Sequence, residues 1–368
     1  MRSKEWKLNI NISKTKALIF DTRDDRRYKF TINNLEVEKV KIYKYLGTLF
    51  AKSGSFLQTR KHLVQQTQKA MYLLFQRIYN LNLPFDLILQ LFDNTISPIL
   101  TYSAEVWGNE NLEIIEKIHT DFLRKISKLR KSTPKYMLYS ELGRYPIEIH
   151  IKCRMIGYWN RLITGKQSKL SYQIYRYMNS LPKFESKWIK HIKSILMETG
   201  RFDYWVSQNN NIQTNNINKV IKQVLLDQNL QQMRNNMDRS NKGRNYSIYK
   251  DNIGLEEYLL KLKKGDALTI LKFRTGNHFF PIETGRWDNI DFQDRECQIC
   301  NLQDPPDEFH YLLKCPHFKE TRQKYLKPYF ITRPNVLKFR ELMQTKQMKT
   351  LNNLSKFIKI LLQTIKRQ

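Results

Sequence analysis

The stretch CQICNLQDPPDEFHYLLKCP, residues 297–316, contains three of the four cysteines in a chain of 368 residues. Cys297, Cys300, His310 and Cys315 follow the spacing C-x2-C-x9-H-x4-C, which offers the four ligands that a structural zinc ion requires. The intervening Gln-Asp-Pro-Pro sequence favours a turn, as a chain that doubles back on its metal needs. Because four protein ligands leave no position for water, the spacing predicts a structural and not a catalytic zinc.

The cysteine spacing leaves two alternatives open. The cysteines could be a chance cluster of small core residues, and His317 competes with His310 as the fourth ligand. A disulfide is disfavoured, because the chain has few cysteines and no secretion signal. Lys314 would place positive charge beside the thiolates. Cys153 falls on a helical pattern, which predicts a buried core thiol outside the cluster.

The charge balance points to a polyanionic partner. The chain has 64 Lys and Arg residues against 34 Asp and Glu, a formal net charge of +30. Such an excess repels itself in a compact state unless a polyanion offsets it, so nucleic acid is the first partner to consider. No apolar run suits a signal peptide or a membrane span. We therefore expect an intracellular protein, nuclear or cytoplasmic, with no membrane partner.

The pattern of apolar residues predicts a mainly α protein with a small N-terminal antiparallel β element, an α+β class. Residues 8–50 are rich in β-branched and aromatic residues, with a turn at Asn33 and Asn34. From Leu63 to Ile78 the apolar residues recur with the period of a helix. Further predicted helices are Phe85–Trp107 with a break at Pro98, Leu112–Leu129, one that begins at Thr133 and Pro134, and Ile147–Ile163.

Composition divides the chain into six predicted segments. The stretch SQNNNIQTNNIN has too little apolar surface to order itself, which indicates a linker. The segments are a small β element (1–52), a helical domain (53–206), the polar linker (207–218), a second helical region (219–290), a zinc knuckle-like module (291–330) and a basic amphipathic tail (331–368).

Basic residues concentrate between residues 117 and 135, where Asp121 is the single acidic residue. If the helix continued through this stretch, Arg124, Lys128 and Lys131 would share one face, because they recur at intervals of three and four residues. Such a face grips phosphates without regard to sequence, although most charge runs are solvated surfaces. The predicted phosphate contacts here are Arg124, Lys125, Lys128, Arg130 and Lys131.

Two further groups mix aromatic and basic side chains. Tyr43, Lys44 and Tyr45 alternate in a predicted strand and would stack on or flank the end of a nucleic-acid strand, unless they are ordinary packing residues. A second group precedes the cysteines, and its arginines could stack on unpaired bases. It consists of Arg274, His278, Arg286 and Trp287, of which we expect Trp287 to pack under the zinc loop.

The residues around the cysteines resemble a known family. FRTGNHFFPIETGRW, ECQIC and DEFHYLLKCP are similar to the C-terminal zinc-binding region of reverse transcriptases encoded by non-long-terminal-repeat retrotransposons. WKLNINISKTKALIF and YKYLGTLF resemble the end of the palm, and NTISPILTYSAEVWG resembles the thumb. The resemblance therefore implies a residual palm-like β element (1–52) and a helical thumb-like domain (53–206), with Tyr43, Lys44 and Tyr45 near a primer end. The resemblance covers about residues 5–165 and 270–320. It implies binding of RNA and of RNA/DNA or DNA duplex, together with the rest of such a polymerase.

The resemblance does not carry catalysis to this chain. In the family, paired carboxylates on a hairpin that precedes the WKLNINISK-like segment hold two metal ions. Asp24 and Asp25 follow that segment, lie among arginines and lack the apolar strand that would hold them rigidly. The prediction is a nucleic-acid-binding C-terminal fragment with no catalytic residues and no independent polymerase activity. The alternative is a domesticated zinc-containing protein that binds a protein partner.

Overall fold

The computed structural model describes residues 10–20, 28–181, 185–208 and 216–366. These residues are mainly helical with short strands near the N-terminus, which confirms the predicted α+β class. The strands are β1 (Lys16–Ala17), β2 (Thr31–Ile32), β3 (Leu35–Glu36), β4 (Glu38–Lys39), β5 (Ile42–Tyr45) and β6 (Thr48–Ala51).

The strands pair in three separate two-stranded sheets. β2 and β3 form a hairpin whose turn residues Asn33 and Asn34 have φ values of 50° and 61°, so the predicted turn is confirmed. β5 and β6 are also antiparallel, and their turn at Leu46 and Gly47 again has positive φ values of 44° and 84°. β1 instead pairs in parallel with β4, with Lys16 opposite Glu38, so the β element is less uniform than predicted.

The helices follow β6. They are α1 (Leu57–Ile78), α2 (Phe85–Leu91), α3 (Ser97–Leu100), α4 (Ala104–Trp107), α5 (Glu113–Ser127), α6 (Lys135–Glu141), α7 (Ile147–Ile163), α8 (Leu170–Ser180), α9 (Lys187–Glu198), α10 (Asp203–Val206), α11 (Ile217–Asp238), α12 (Tyr246–Tyr249), α13 (Glu257–Lys261), α14 (Lys264–Arg274), α15 (Pro281–Thr284), α16 (Lys319–Tyr325), α17 (Pro328–Ile331), α18 (Val336–Met343) and α19 (Met348–Lys366). Two π-helical turns lie at Phe92–Ile96 and His310–Lys314, and short 3-10 turns lie at Ile12–Lys14, Phe292–Asp294 and Pro316–Phe318.

Two predicted helices end differently from expectation. The chain predicted as Phe85–Trp107 passes from α2 through the π-helical turn, and its break falls after α3, where Ser103 has a φ of 54°. Pro98 sits in the first turn of α3, where its missing N–H costs no helical hydrogen bond. The helix predicted to reach Leu129 ends at Ser127, because Lys128 adopts a left-handed conformation with a φ of 53°.

The apolar side chains form two hydrophobic clusters. The smaller cluster contains buried side chains of α1, α4, α5, α7, α9, α10 and α11. Its largest members are the fully buried Trp107 and Trp159. The larger cluster joins residues 78–142 to residues 246–365 and includes Cys297 and Cys315. The C-terminal helices therefore pack directly against the thumb-like helices that precede residues 207–218. The positions of the domain boundaries stay a prediction, and residues 209–215 lie outside the described ranges.

Candidate functional site

The four predicted metal ligands converge on one point. The ligand atoms of Cys297, Cys300, His310 and Cys315 all lie within 4.8 Å of one another, and Cys300 Sγ is 3.5 Å from His310 Nε2. The π-helical turn aims the imidazole at the sulfurs, and Asp307 holds that turn by accepting a hydrogen bond of 2.8 Å from the His310 N–H. This arrangement is compatible with a metal site.

The thiols cannot all ionise without a compensating cation. Hydrogen bonding from Cys315 lowers the pKa of the Cys297 thiol to about 2, and His310 adds to the effect. The same bond raises the pKa of Cys315, and burial raises the pKa of Cys300. Ionisation of one sulfur in this cluster therefore opposes ionisation of the other two. A metal ion would remove this conflict, because it binds thiolates directly and favours their deprotonation.

The structure also shows where the alternative ligand His317 and the charged side chains near the cluster lie. His317 is exposed, lies edge-on to Phe318 and is not part of the cluster, so the choice of His310 agrees with the structure. Lys314 forms an ion pair with Asp304 at 3.0 Å, which neutralises the charge expected to help the thiolates. The buried Arg322 instead donates hydrogen bonds to the carbonyls of Leu312 and Cys315. No sequence pattern indicated this role of Arg322.

Three residues predicted to contact nucleic acid have side chains that are already bonded within the fold, which argues against their contacting a ligand. Arg274 is fully buried and donates to both carboxylate oxygens of Glu141 and, at 2.6 Å, to the carbonyl of Met343. Burial of a charge requires such compensation, so its guanidinium is unavailable to a ligand. His278 is buried beside Glu308 at 2.9 Å. These contacts stabilise the region that precedes the cysteine–histidine cluster.

Arg124 is the third of these residues. Its guanidinium donates to the carbonyls of Arg130 and Thr133 at 3.1–3.3 Å and so holds the turn that follows α5. Since the helix ends at Ser127, Lys128 and Lys131 do not continue the helical face that the spacing suggested. Thr133 does not cap α6, which begins after Pro134. Its hydroxyl donates instead to Asn277 Oδ1 at 2.9 Å.

Hydrogen bonds to Asn277 also bring together two of the predicted nucleic-acid-binding groups, which are far apart in the sequence. Asn277 also accepts a hydrogen bond from the Arg130 N–H, 147 residues away along the chain. The Arg130 guanidinium then lies 4.5 Å from the ring centre of Phe279 and 5.2 Å from that of Trp287. Phe279 is 44% exposed and Trp287 is 51% exposed, so Trp287 does not pack under the zinc loop as expected. We call Arg130, Phe279 and Trp287 the arginine–aromatic surface.

Lys242 is a cation near this surface that no sequence pattern indicated. It is 7% exposed, its Nζ lies 3.5 Å from Ser132 Oγ, and no carboxylate of the described residues forms an ion pair with it. Burial lowers the pKa of its ammonium to about 8, the nearby Glu283 opposes this shift, and the charges of Arg286 and Arg130 lower the pKa further. Arg286 itself is paired with Glu283.

The remaining predicted contacts lie at the surface. Lys125, Lys128 and Lys131 are exposed, with the Lys125 ammonium 4.1 Å from the ring centre of Phe75. In β5, Tyr43 is half-buried, Tyr45 is exposed, and Lys44 Nζ lies 3.3 Å from His62 Nε2. These positions are consistent with contact but do not test it. Asp24 and Asp25 lie outside the described residues.

Comparisons with protein-family models, with curated proteins and with solved structures gave no match to this chain. The resemblance to retrotransposon reverse transcriptases therefore stays a prediction. Among the helices of the described ranges, none combines the length and the apolar character that a bilayer crossing requires.

Proposed function

We propose that this chain is a nucleic-acid-binding protein, related to the C-terminal portion of a retrotransposon-type RNA-directed DNA polymerase, that holds RNA and primer–template duplex. The observation that supports it most is the arginine–aromatic surface, where a guanidinium lies against two half-exposed rings. Unpaired bases stack on such rings and on guanidinium planes, while the cation attracts the adjoining phosphate. This proposal assigns no catalytic role to the described residues.

The charge around the surface is uncompensated, which suits a polyanion. Lys128, Arg130 and Lys131 lie in one turn, and none of them forms an ion pair with a carboxylate of the described residues. The net charge of +30 likewise favours a polyanionic partner for the whole chain, because a polyanion offsets the self-repulsion. Phosphates would bind this turn without base specificity, and the rings would favour unpaired bases.

We further propose that the cysteine–histidine cluster holds a structural zinc ion. Around a tetrahedral zinc, ligand atoms are separated by about 3.5–3.8 Å, as follows from bonds of about 2.3 Å to sulfur and about 2.0 Å to nitrogen. The observed 3.5 Å between Cys300 and His310 fits this geometry. Zinc would stabilise the loop that follows Phe279 and Trp287, the two rings of the arginine–aromatic surface. It would supply no chemistry to a substrate.

Replacement of Trp287 tests the proposal. Trp287→Ala removes a stacking ring, so the affinity for a short single-stranded RNA should fall about tenfold, since each stacked base is worth about 1–3 kcal/mol. Fluorescence anisotropy measures the dissociation constant, and thermal melting verifies that each variant is folded.

Tyr329→Ala is the matched control. Tyr329 is also 51% exposed and also lies beside a basic side chain, with Lys338 Nζ 4.8 Å from its ring centre, but it belongs to α17. The control should bind as the wild type does. Equal affinity of all three proteins would contradict a role of the arginine–aromatic surface in binding.

A second candidate function is supported by a different observation. Leu35, Ile42 and Leu46 are 58%, 45% and 73% exposed near the N-terminus, and an apolar surface of this kind suits a protein partner. A pull-down partner lost in Leu46→Asp, with no salt-dependent binding of nucleic acid, would favour this function over the first.

A further inference from the structure

A groove that shares no residue with the arginine–aromatic surface runs along α7. It consists of two adjoining cavities of about 600 Å³ and about 430 Å³, which have His150, Cys153, Arg154 and Lys222 in common. One wall is α7, another is α11, and α3 and α4 close the side. No local sequence pattern indicates this groove, because its basic residues come from segments about 70 residues apart.

The cationic side chains follow the axis of the groove. His150, Arg154 and Arg161 are four and seven residues apart, so they lie on one face of α7. Lys219 and Lys222 are three residues apart and lie on the facing side of α11. The two helices approach closely at Gly157, where a Cβ would meet the Asn218 amide nitrogen at 3.0 Å. The close approach keeps the two rows of cations near each other.

Acidic residues neutralise only part of this charge. Asp93 pairs with Arg144 through a bond of 2.8 Å, and Glu105 pairs with Arg154 at 2.7 Å. Among the described residues, no carboxylate forms an ion pair with Arg161, Lys219 or Lys222. The groove therefore keeps an excess of positive charge.

The electrostatics of His150 agree with this excess. Burial lowers the pKa of its imidazole, the positive charges of Arg154 and Lys222 lower it further, and Asp93 opposes them. A group that titrates in this groove therefore senses a net positive surrounding.

We propose that this groove binds the phosphate backbone of a single nucleic-acid strand, as a second contact for the strand that the arginine–aromatic surface holds. The inference rests on the proposed function. From Arg154 to Arg161 the cations extend over about 10 Å of helix, and phosphates of one strand recur every 3.4 Å or so along a duplex axis. Cations spread along an axis suit a backbone, whereas an isolated phosphate requires them to converge on one point.

Charge reversal on α11 tests the inference. In Lys219→Glu/Lys222→Glu, two phosphate contacts are lost, so the slope of log affinity against log salt for single-stranded RNA should become shallower by about 1.4. Lys349→Glu/Lys356→Glu makes the same charge change on exposed lysines of α19 that lie outside the groove. This control should keep the wild-type slope. The milder Lys219→Gln/Lys222→Gln variant gives the same comparison if charge reversal disturbs folding.

The outcomes separate this inference from the proposed function. If the groove and control variants have the same salt slope, the inference about the groove is wrong. A lower RNA affinity of Trp287→Ala would still support the proposed function in that case. If the wild type binds no nucleic acid, both proposals fail. A shallower slope in the groove variants alone is the result we expect.

Discussion

Lys242 carries a charge in a place where charge is unfavourable. It is buried, and Arg130 and Arg286 add positive charge around its ammonium, so its pKa is about 8 in the folded chain instead of its ordinary 10.5. Because the folded pKa lies below the unfolded one, the ammonium costs stability below about pH 8, and this cost is relieved as the pH rises to about 10.5. A bound phosphate would reverse the preference and retain the proton.

The affinity for nucleic acid should therefore fall as the pH rises through the pKa of Lys242. Between about pH 7 and about pH 9 the protonated fraction of a group with a pKa of about 8 falls about tenfold, and the affinity should fall by the same factor. Single-stranded DNA avoids base hydrolysis in this titration. Lys242→Arg keeps its charge at both pH values, so its affinity should not change. Equal loss in the wild type and the arginine variant would contradict the role of Lys242.

Arg274 and Arg130 show why the positions of basic residues in the sequence could not identify the contacts with nucleic acid. Both belong to the predicted binding groups, yet Arg274 lies on Glu141 inside the core while Arg130 lies on exposed rings. In Glu141 burial raises the pKa, but the charges of Arg274 and Lys250, together with hydrogen bonds from Arg274 and Tyr258, outweigh burial and leave that pKa lowered. Such a pair forms only when the fold brings together residues 133 positions apart, which a local pattern does not encode.

At the scale of elements, local patterns predicted the turns, the helical periodicity and the metal ligands. Asn33-Asn34, the α1 stripe and the four ligands depend on residues that are near in sequence. The end of α5 was not predicted, because Lys128 adopts a positive φ. Glycine usually occupies this position at the end of a helix, so a lysine gives no sign of it in the sequence. The zinc loop also depends on Arg322, whose hydrogen bonds to Leu312 and Cys315 are tertiary contacts.

Metal binding should stabilise the zinc loop. Purified wild type should contain one zinc ion per chain by mass spectrometry, and Cys300→Ser should lose zinc and melt at a lower temperature, because metal binding is coupled to folding. Cys153→Ser is the matched control, since Cys153 is a half-buried thiol outside the cluster. It should keep the metal. Folded wild type without zinc, or equal zinc loss in both variants, would contradict a structural zinc site.

At the scale of the whole molecule, the sequence predicted the class of the fold but not its packing. The larger hydrophobic cluster joins helices on both sides of residues 207–218, and composition alone does not show which helices meet across such a polar segment. The same long-range packing places Arg130 beside Trp287 and forms the groove between α7 and α11. The proposed function thus depends on surfaces assembled from distant segments.

The salt dependence of RNA binding by the wild-type chain tests the central claim most directly. With about four phosphate contacts, the affinity for a short single-stranded RNA should fall about fiftyfold between about 50 and 200 mM salt. Such a fall would support binding through the exposed cations of the arginine–aromatic surface and the groove. Absence of binding at low salt, or an affinity that does not change over this range, would contradict the proposed nucleic-acid-binding function.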